Sequence, residues 1–303
     1  MAKLLYEGEK MKKHIFSGVG TALVTPFSDG KIDFDALGRL IEFQVRGGVH
    51  ALIIGGTTGE AATLSDEERY ELFAFTRETV RGRCKLVFGT GTNDTRVAIR
   101  HTKMAEKIGC DGVLLVTPYY NKGTEDGVRL HYEKIASETG LPIILYNVPG
   151  RTGVSISMRT LERLSRHENI VGIKEAADSA DRLVELSKFG DELCLYAGND
   201  SQLYTALALG GRGVISVVSN ILPREVTRVW QRFLAGEWRE SLSMQQKLLP
   251  LIGACFTETN PAPVKFALSK MGLCSGELRL PLAEINENSK KVMMSALGEF
   301  GIK

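Results

Sequence analysis

A lysine ends the apolar run Val171-Gly172-Ile173-Lys174, and the stretch Glu175 to Asp178 reads as the loop after it. The run is apolar on both faces, as parallel strands buried between two layers are. An amine at the end of such a strand is partly desolvated, which favours its neutral form. A neutral amine can attack a carbonyl carbon and form an imine. Taken alone, the same residue also reads as a solvated lysine that opens a loop.

Other apolar runs end in groups that suit the same chemistry. GGTTGE, residues 55–60, sets three glycines, two threonine hydroxyls and a set of backbone N–H groups just ahead of a helix. That composition fits a small anion such as a carboxylate, and equally a tight strand-to-helix turn. It is not a nucleotide P-loop, because no lysine follows the last glycine. Tyr146 ends IILYNVP. A phenol there either relays protons or lies in the core with its hydroxyl at the surface. Arg151 follows in a Pro-Gly loop, as a fork for a substrate carboxylate or as a free surface arginine. Tyr119 and Tyr120 stand together at a loop tip and read as an interface pair.

Other chemistries find less support. His14, His50, His101, His131 and His167 are scattered, without the HExxH or HxH spacing of a metal site. No GxSxG occurs. What remains is a lysine, a tyrosine, threonine hydroxyls and an anion-binding turn. This is a kit for imine chemistry on a keto acid.

The elements that must position this kit alternate along the chain. Eight apolar runs read as strands: GVGTALVTPF, ALII, KLVFGTG, GVLLVTPYY, IILYNVP, VGIK, LCLYAGND and GVISVVSN. Amphipathic segments separate them. Phe34, Leu37, Leu40, Ile41 and Val45 recur at helical spacing in the first. Ser65 and Glu68 form a capping-box pattern that opens the second. Helices are expected over 96–108, 125–138, 158–166, 182–189 and 202–209. Eight strands alternating with helices predict an α/β fold, a (β/α)8 TIM barrel, whose reactive groups collect at the strand carboxyl ends. A doubly wound open sheet is the weaker alternative, since no dinucleotide fingerprint occurs. After Asn220 the strand pattern stops, and helices are expected over 224–235, 238–253, 263–271 and 283–297, punctuated by prolines. The expected organisation is an N-terminal tail over 1–14, a barrel over 15–222 and a helical C-terminal extension over 223–303.

Composition narrows the function. With 38 basic and 36 acidic residues the net charge is +2, too balanced to point to nucleic acid or a membrane surface. No run approaches the roughly 18 consecutive apolar residues of a membrane span. The tail carries Lys3, Lys10, Lys12 and Lys13 but lacks the apolar core of a secretory signal. The five cysteines lie without CxxC pairing, which suggests reduced packing residues and a cytoplasmic protein.

GGTTGE, VTPYYN, YNVPGRTG, GIKEA and GVISV, in this order and at these intervals, resemble the pyruvate-dependent class I aldolases, the family of N-acetylneuraminate lyase. The resemblance runs from about Gly18 through NPAPVKFAL. It implies that Lys174 forms a Schiff base with pyruvate and that Tyr146 shuttles protons. It implies that Thr57 links Tyr146 to Tyr120, which in this family reaches in from a neighbouring subunit. Thr58 would hold the pyruvate carboxylate, while Gly198 and Ile215 line the pyruvate side. The arginine of YNVPGRTG is typical of members whose acceptor is aspartate β-semialdehyde, so Arg151 would position that acceptor. The product implied is 4-hydroxy-tetrahydrodipicolinate, on the way to diaminopimelate and lysine. No metal or nucleotide cofactor is implied, and the assembly implied is a homotetramer, a dimer of dimers. A pyruvate aldolase or dehydratase acting on a sugar-derived acid is the alternative enzyme, and a keto-acid-binding relative without turnover the alternative class. One departure bears on regulation. Lysine-inhibited members carry a serine, two histidines and a glutamate where this chain has Ala61, Asp66, Arg69 and Val97, while Asn93 and Tyr119 are retained. Weak or absent inhibition by lysine is expected.

Overall fold

Apolar runs that alternate their side chains between two faces need cover on both. In the computed structural model, which describes residue 12 and residues 14–302, they find it by closing on themselves. β1 (Gly18–Ala22), β2 (Ala51–Ile54), β3 (Lys85–Gly89), β4 (Gly112–Val116), β5 (Ile143–Asn147), β6 (Ile170–Glu175), β7 (Cys194–Ala197) and β8 (Gly213–Ser216) form a closed parallel barrel in chain order. β1 pairs with both β2 and β8, which seals it. The TIM barrel expected from the alternation is the observed fold. All but residue 12 of the expected tail before His14 lies outside the described residues.

The two faces of the strands serve two cores. Inward-facing Ile53, Val87, Leu114, Ile144, Tyr146 and Ile215 fill the barrel. Phe16 closes its lower end, stacked 4.7 Å from the Tyr196 ring, whose hydroxyl donates to the Phe16 carbonyl at 2.6 Å. Outward-facing residues pack against the helices α1 (Phe34–Arg46), α2 (Asp66–Val80), α3 (Thr95–Ile108), α4 (Glu125–Ala136), α5 (Met158–Leu164), α6 (Ala180–Ser187) and α7 (Leu203–Ala208). In α1 the periodic residues face this core: Leu37, Leu40 and Ile41 are buried, with Phe34 and Val45 packed beside them. Asp33 caps its start by accepting from the Ala36 N–H. Ser65 and Glu68 form the expected capping box at the start of α2.

Four helices follow β8: α8 (Pro223–Leu234), α9 (Trp238–Ala254), α10 (Ala262–Lys270) and α11 (Glu287–Gly298). α8 packs against β1, and α9 packs on α8 and α11. Three local readings are corrected. The first apolar run ends as a strand at Ala22; Phe27–Ser28 and Lys31–Ile32 instead form a small antiparallel hairpin about Asp29-Gly30, both at positive φ. β6 runs one residue further than expected, because Glu175 pairs with Asn147 and Ala197. Pro250 lies inside α9, within the helix expected over 238–253. α11 starts only at Glu287, where the Asn286 side chain accepts from the Ser289 N–H. Among the described residues no helix is long and apolar enough to cross a membrane.

Closure depends on a missing side chain. At Gly213, φ is 153° and an added Cβ would stand 1.8 Å from the Gly18 carbonyl oxygen, on the strand that seals the barrel. The neighbour is backbone and cannot swing away. Gly213→Ala is expected to destabilise the fold by about 3 kcal/mol or more, from overpacking and a strained dihedral together. Thermal unfolding followed by circular dichroism checks this. A Tm within two degrees of the parent would mean that the seam has slack.

Candidate active site

The barrel register brings the two side chains expected to react level. Lys174 of β6 pairs with Tyr146 of β5 on one side and with Tyr196 of β7 on the other. The Lys174 Nζ stands 4.1 Å from the centre of the Tyr146 ring. Both residues are buried, Lys174 at 5% exposure, above an interior of apolar side chains. This is the environment expected of a strand-end amine.

The next residues along both strands hold the pair together. The Asn147 Nδ2 donates to both Glu175 carboxylate oxygens, at 2.8 and 3.0 Å. Glu175, fully buried, also accepts from the Ala177 N–H at 2.8 Å and pairs with Arg182 at 3.3 Å. The Asn147 Oδ1 accepts from the Ile156 N–H. A buried carboxylate with this many donors fixes the two strand ends relative to each other. The sequence reading quoted both residues within motifs and gave neither a part. Asp200, just past β7, was missed in the same way. It is buried, and its Oδ2 accepts from the Val217 and Val218 N–H groups after β8. Burial pushes its carboxyl up, against the pull of these hydrogen bonds, Ser216 and the Lys174 charge.

The GGTTGE turn forms the opposite wall. The N–H groups of Gly59, Glu60 and Ala61 fold back onto the Gly56, Thr57 and Gly56 carbonyls at 3.1 to 3.3 Å. Among the described residues, the Thr57 and Thr58 N–H groups donate to no protein acceptor. Two unpaired donors in succession suit a carboxylate. The Thr58 hydroxyl accepts from the Asn260 Nδ2 at 3.0 Å.

Thr57, Tyr146 and Arg151 line one cavity of about 500 Å³. Arg151 sits on a single helical turn after β5, at the rim, and donates to the Asn260 carbonyl at 3.2 Å. Asn260, also in the wall, opens the NPAPVKFAL segment, where the sequence alone assigns it no role; it lies 109 residues from Arg151 in the chain. Lys174, Thr58, Gly198 and Ile215 are buried and are not among the residues that line it. At Gly198 an added Cβ would come within 2.6 Å of the Ala176 Cβ and 2.7 Å of the Glu175 carbonyl oxygen, so only glycine fits there without displacing the end of β6. Tyr120 is not brought in: it is 89% exposed, at a φ of 70°. Its neighbour Tyr119 lines the cavity instead. Among the described residues no three His, Cys, Asp or Glu side chains gather as a metal site.

The same cavity continues past Ala61, Arg69 and Val97. The Arg69 guanidinium is buried and donates to the Ala61 and Gly89 carbonyls at 2.8 and 3.2 Å. Asp66 points its carboxylate to His101 at 2.7 Å and to Arg100 at 2.9 Å. The one acid of the four departures is thus engaged elsewhere.

The chain matches the model of the dihydrodipicolinate synthetase family over residues 15–299. It is 46% identical over 293 residues to a 4-hydroxy-tetrahydrodipicolinate synthase of Thermotoga neapolitana, covering 95% of this chain and 100% of that one. Its fold is similar to that of a monomeric dihydrodipicolinate synthase variant, with a TM-score of 0.93 and 42% identity over 95% and 98% of the two chains. It is also similar to the chloride-inhibited dihydrodipicolinate synthase of Acinetobacter baumannii complexed with pyruvate, with a TM-score of 0.92 and 39% identity over 96% and 100%. A match of this extent, on a barrel that holds Lys174 beside Tyr146, makes this chain a member of the dihydrodipicolinate synthetase family.

Proposed function

We propose that this chain condenses pyruvate with L-aspartate β-semialdehyde through a Schiff base on Lys174, giving 4-hydroxy-tetrahydrodipicolinate for the diaminopimelate and lysine route. The observation that carries the reading is the buried Lys174 amine 4.1 Å from the Tyr146 ring, beside a cavity that also presents Thr57 and Arg151. The Lys174 nitrogen attacks C2 of pyruvate, and loss of water leaves an imine. The imine draws electrons from the adjacent methyl group, which gives up a proton to form an enamine. The enamine carbon attacks the aldehyde. The amine of the semialdehyde then replaces the lysine nitrogen at C2, which closes the ring and frees Lys174. One lysine thereby divides a difficult carbanion step into easier ones.

The other residues take roles that fit their places. Tyr146 moves protons to and from the carbinolamine oxygen. The unpaired N–H groups at Thr57 and Thr58 hold the pyruvate carboxylate. Gly198 and Ile215 shape the pyruvate side, and Arg151 at the rim takes the carboxylate of the semialdehyde. Tyr120, turned out into solvent, suits an exchange across a dimer axis, so that Tyr120 of the partner subunit completes the relay through Thr57 to Tyr146. The assembly in this reading is a dimer of dimers. Five free cysteines fit the cytoplasm, with burial pushing Cys84 up to about 11 and Cys110 up to about 12.

Turnover is checked with pyruvate and aspartate β-semialdehyde, coupled to a reductase that consumes a reduced nicotinamide cofactor. Lys174→Ala should abolish both turnover and the borohydride-trapped pyruvate adduct. Tyr146→Phe should lower kcat by ~10²–10⁴-fold, the usual worth of a positioned acid–base group. Arg151→Ala should raise KM for the semialdehyde about 10- to 100-fold, the loss of a hydrogen bond to a charged group, while trapping persists. Turnover by Lys174→Ala would end the imine reading, and an active monomer in sedimentation would end the shared relay. Inhibition by lysine should be weak or absent, since Arg69 repels its ammonium groups and Val97 offers them no acid. Half-inhibition at submillimolar lysine would refute this.

A further inference from the structure

Glu60, the last residue of the GGTTGE turn, sits at φ 53°, ψ 38°, in the left-handed region that side chains seldom adopt. Its carboxylate is fully buried. The Lys265 Nζ, also fully buried, lies 2.5 Å from one oxygen. The Arg279 N–H donates to the other at 3.2 Å. Lys265 also donates to the Glu277 carbonyl at 2.7 Å and stands 4.1 Å from the centre of the Phe27 ring. The Arg279 guanidinium lies 4.2 Å from the same ring, pairs with Glu68, and donates to the Thr63 carbonyl at 2.9 Å. Three residues of the C-terminal extension, Asn260, Lys265 and Arg279, thus grip the turn at Thr58, Glu60 and Thr63.

A buried ion pair is a poor device for stability alone, because apolar residues of the same volume often do as well. A strained dihedral adds to its cost. Both sit directly after the two N–H groups left unpaired at Thr57 and Thr58. An unpaired carboxylate at Glu60 would also repel any anion bound there. We propose that the Glu60–Lys265 pair is a positioning device: it holds the turn so that the Thr57 and Thr58 N–H groups converge on the keto-acid carboxylate, and it cancels the charge that would oppose that anion. This rests on the reading of the turn as the pyruvate carboxylate site. Neither side chain takes part in bond making.

The test is steady-state kinetics and borohydride trapping on the parent, on Glu60→Gln and on the charge-free double variant Glu60→Gln/Lys265→Met. Glu60→Gln keeps the shape and the acceptor for Arg279. It should raise KM for pyruvate about tenfold or more, with kcat changed less than threefold and KM for the semialdehyde unchanged. The double variant removes the unpaired lysine and should regain the parental Tm while keeping the raised pyruvate KM. Trapping at saturating pyruvate should persist in both. A parental pyruvate KM in folded Glu60→Gln would overturn the proposal, whatever the double variant does. So would a fall in kcat with no change in either KM. A parent that forms no adduct with pyruvate would instead refute the functional reading, and this inference with it.

Discussion

A closed barrel leaves its strands no freedom to slip. Register in an open sheet can shift by one residue and turn every side chain to the other face. Here β1 pairs with both β2 and β8, so a shift anywhere would have to be matched all the way round. That constraint is what sets Lys174 level with Tyr146 and Tyr196. The amine and the phenol meet because two strands are in register, not because either side chain seeks the other. The seam at Gly213 and Gly18, where no Cβ fits, and the Asn147–Glu175 contact at the strand ends serve the same register.

The rigid and the adjustable parts of the site come from different places in the chain. The barrel strands hold Lys174 and Tyr146. Thr57, Thr58 and Arg151, proposed to meet the rest of the substrates, stand on turns after the strands, and turns do not hold themselves. The residues that brace them come from the far end of the chain. Asn260 touches both the Thr58 hydroxyl and Arg151. The helical extension is thereby part of the site's wall.

This division explains what was legible in the sequence. Lys174 and Tyr146 stood out because a polar group at the end of an apolar run breaks a local pattern. The eight-fold alternation and the Ser65–Glu68 cap are local as well, and they read correctly. The hairpin at Phe27–Ile32 was missed because strands of two residues leave no periodicity to detect. Asn260, Lys265 and Arg279 were missed for a different reason. Their partners lie some 200 residues away, and a lysine inside a helical run gives no sign that its end will be buried against a carboxylate. Glu175 was read as loop because a charged residue argues against a buried strand, and only the contact with Asn147 and Arg182 makes it tolerable there.

That last case is general in this molecule. Burying a charge is costly unless it is paired or hydrogen-bonded. Among the described residues, the lysines, arginines and acids that are buried are Glu60, Arg69, Lys174, Glu175, Asp200 and Lys265. Lys174, Glu175, Asp200 and Glu60 follow or end their strands, Lys265 pairs with Glu60, and Arg69 donates to the carbonyl that ends β3. A fold selected for stability alone has no reason to collect six buried charges at one end of its barrel. A site that makes an imine, holds one carboxylate and positions a second, as proposed for this chain, has such a reason. Five of the six are held by named partners, which leaves Lys174 as the amine that no carboxylate occupies.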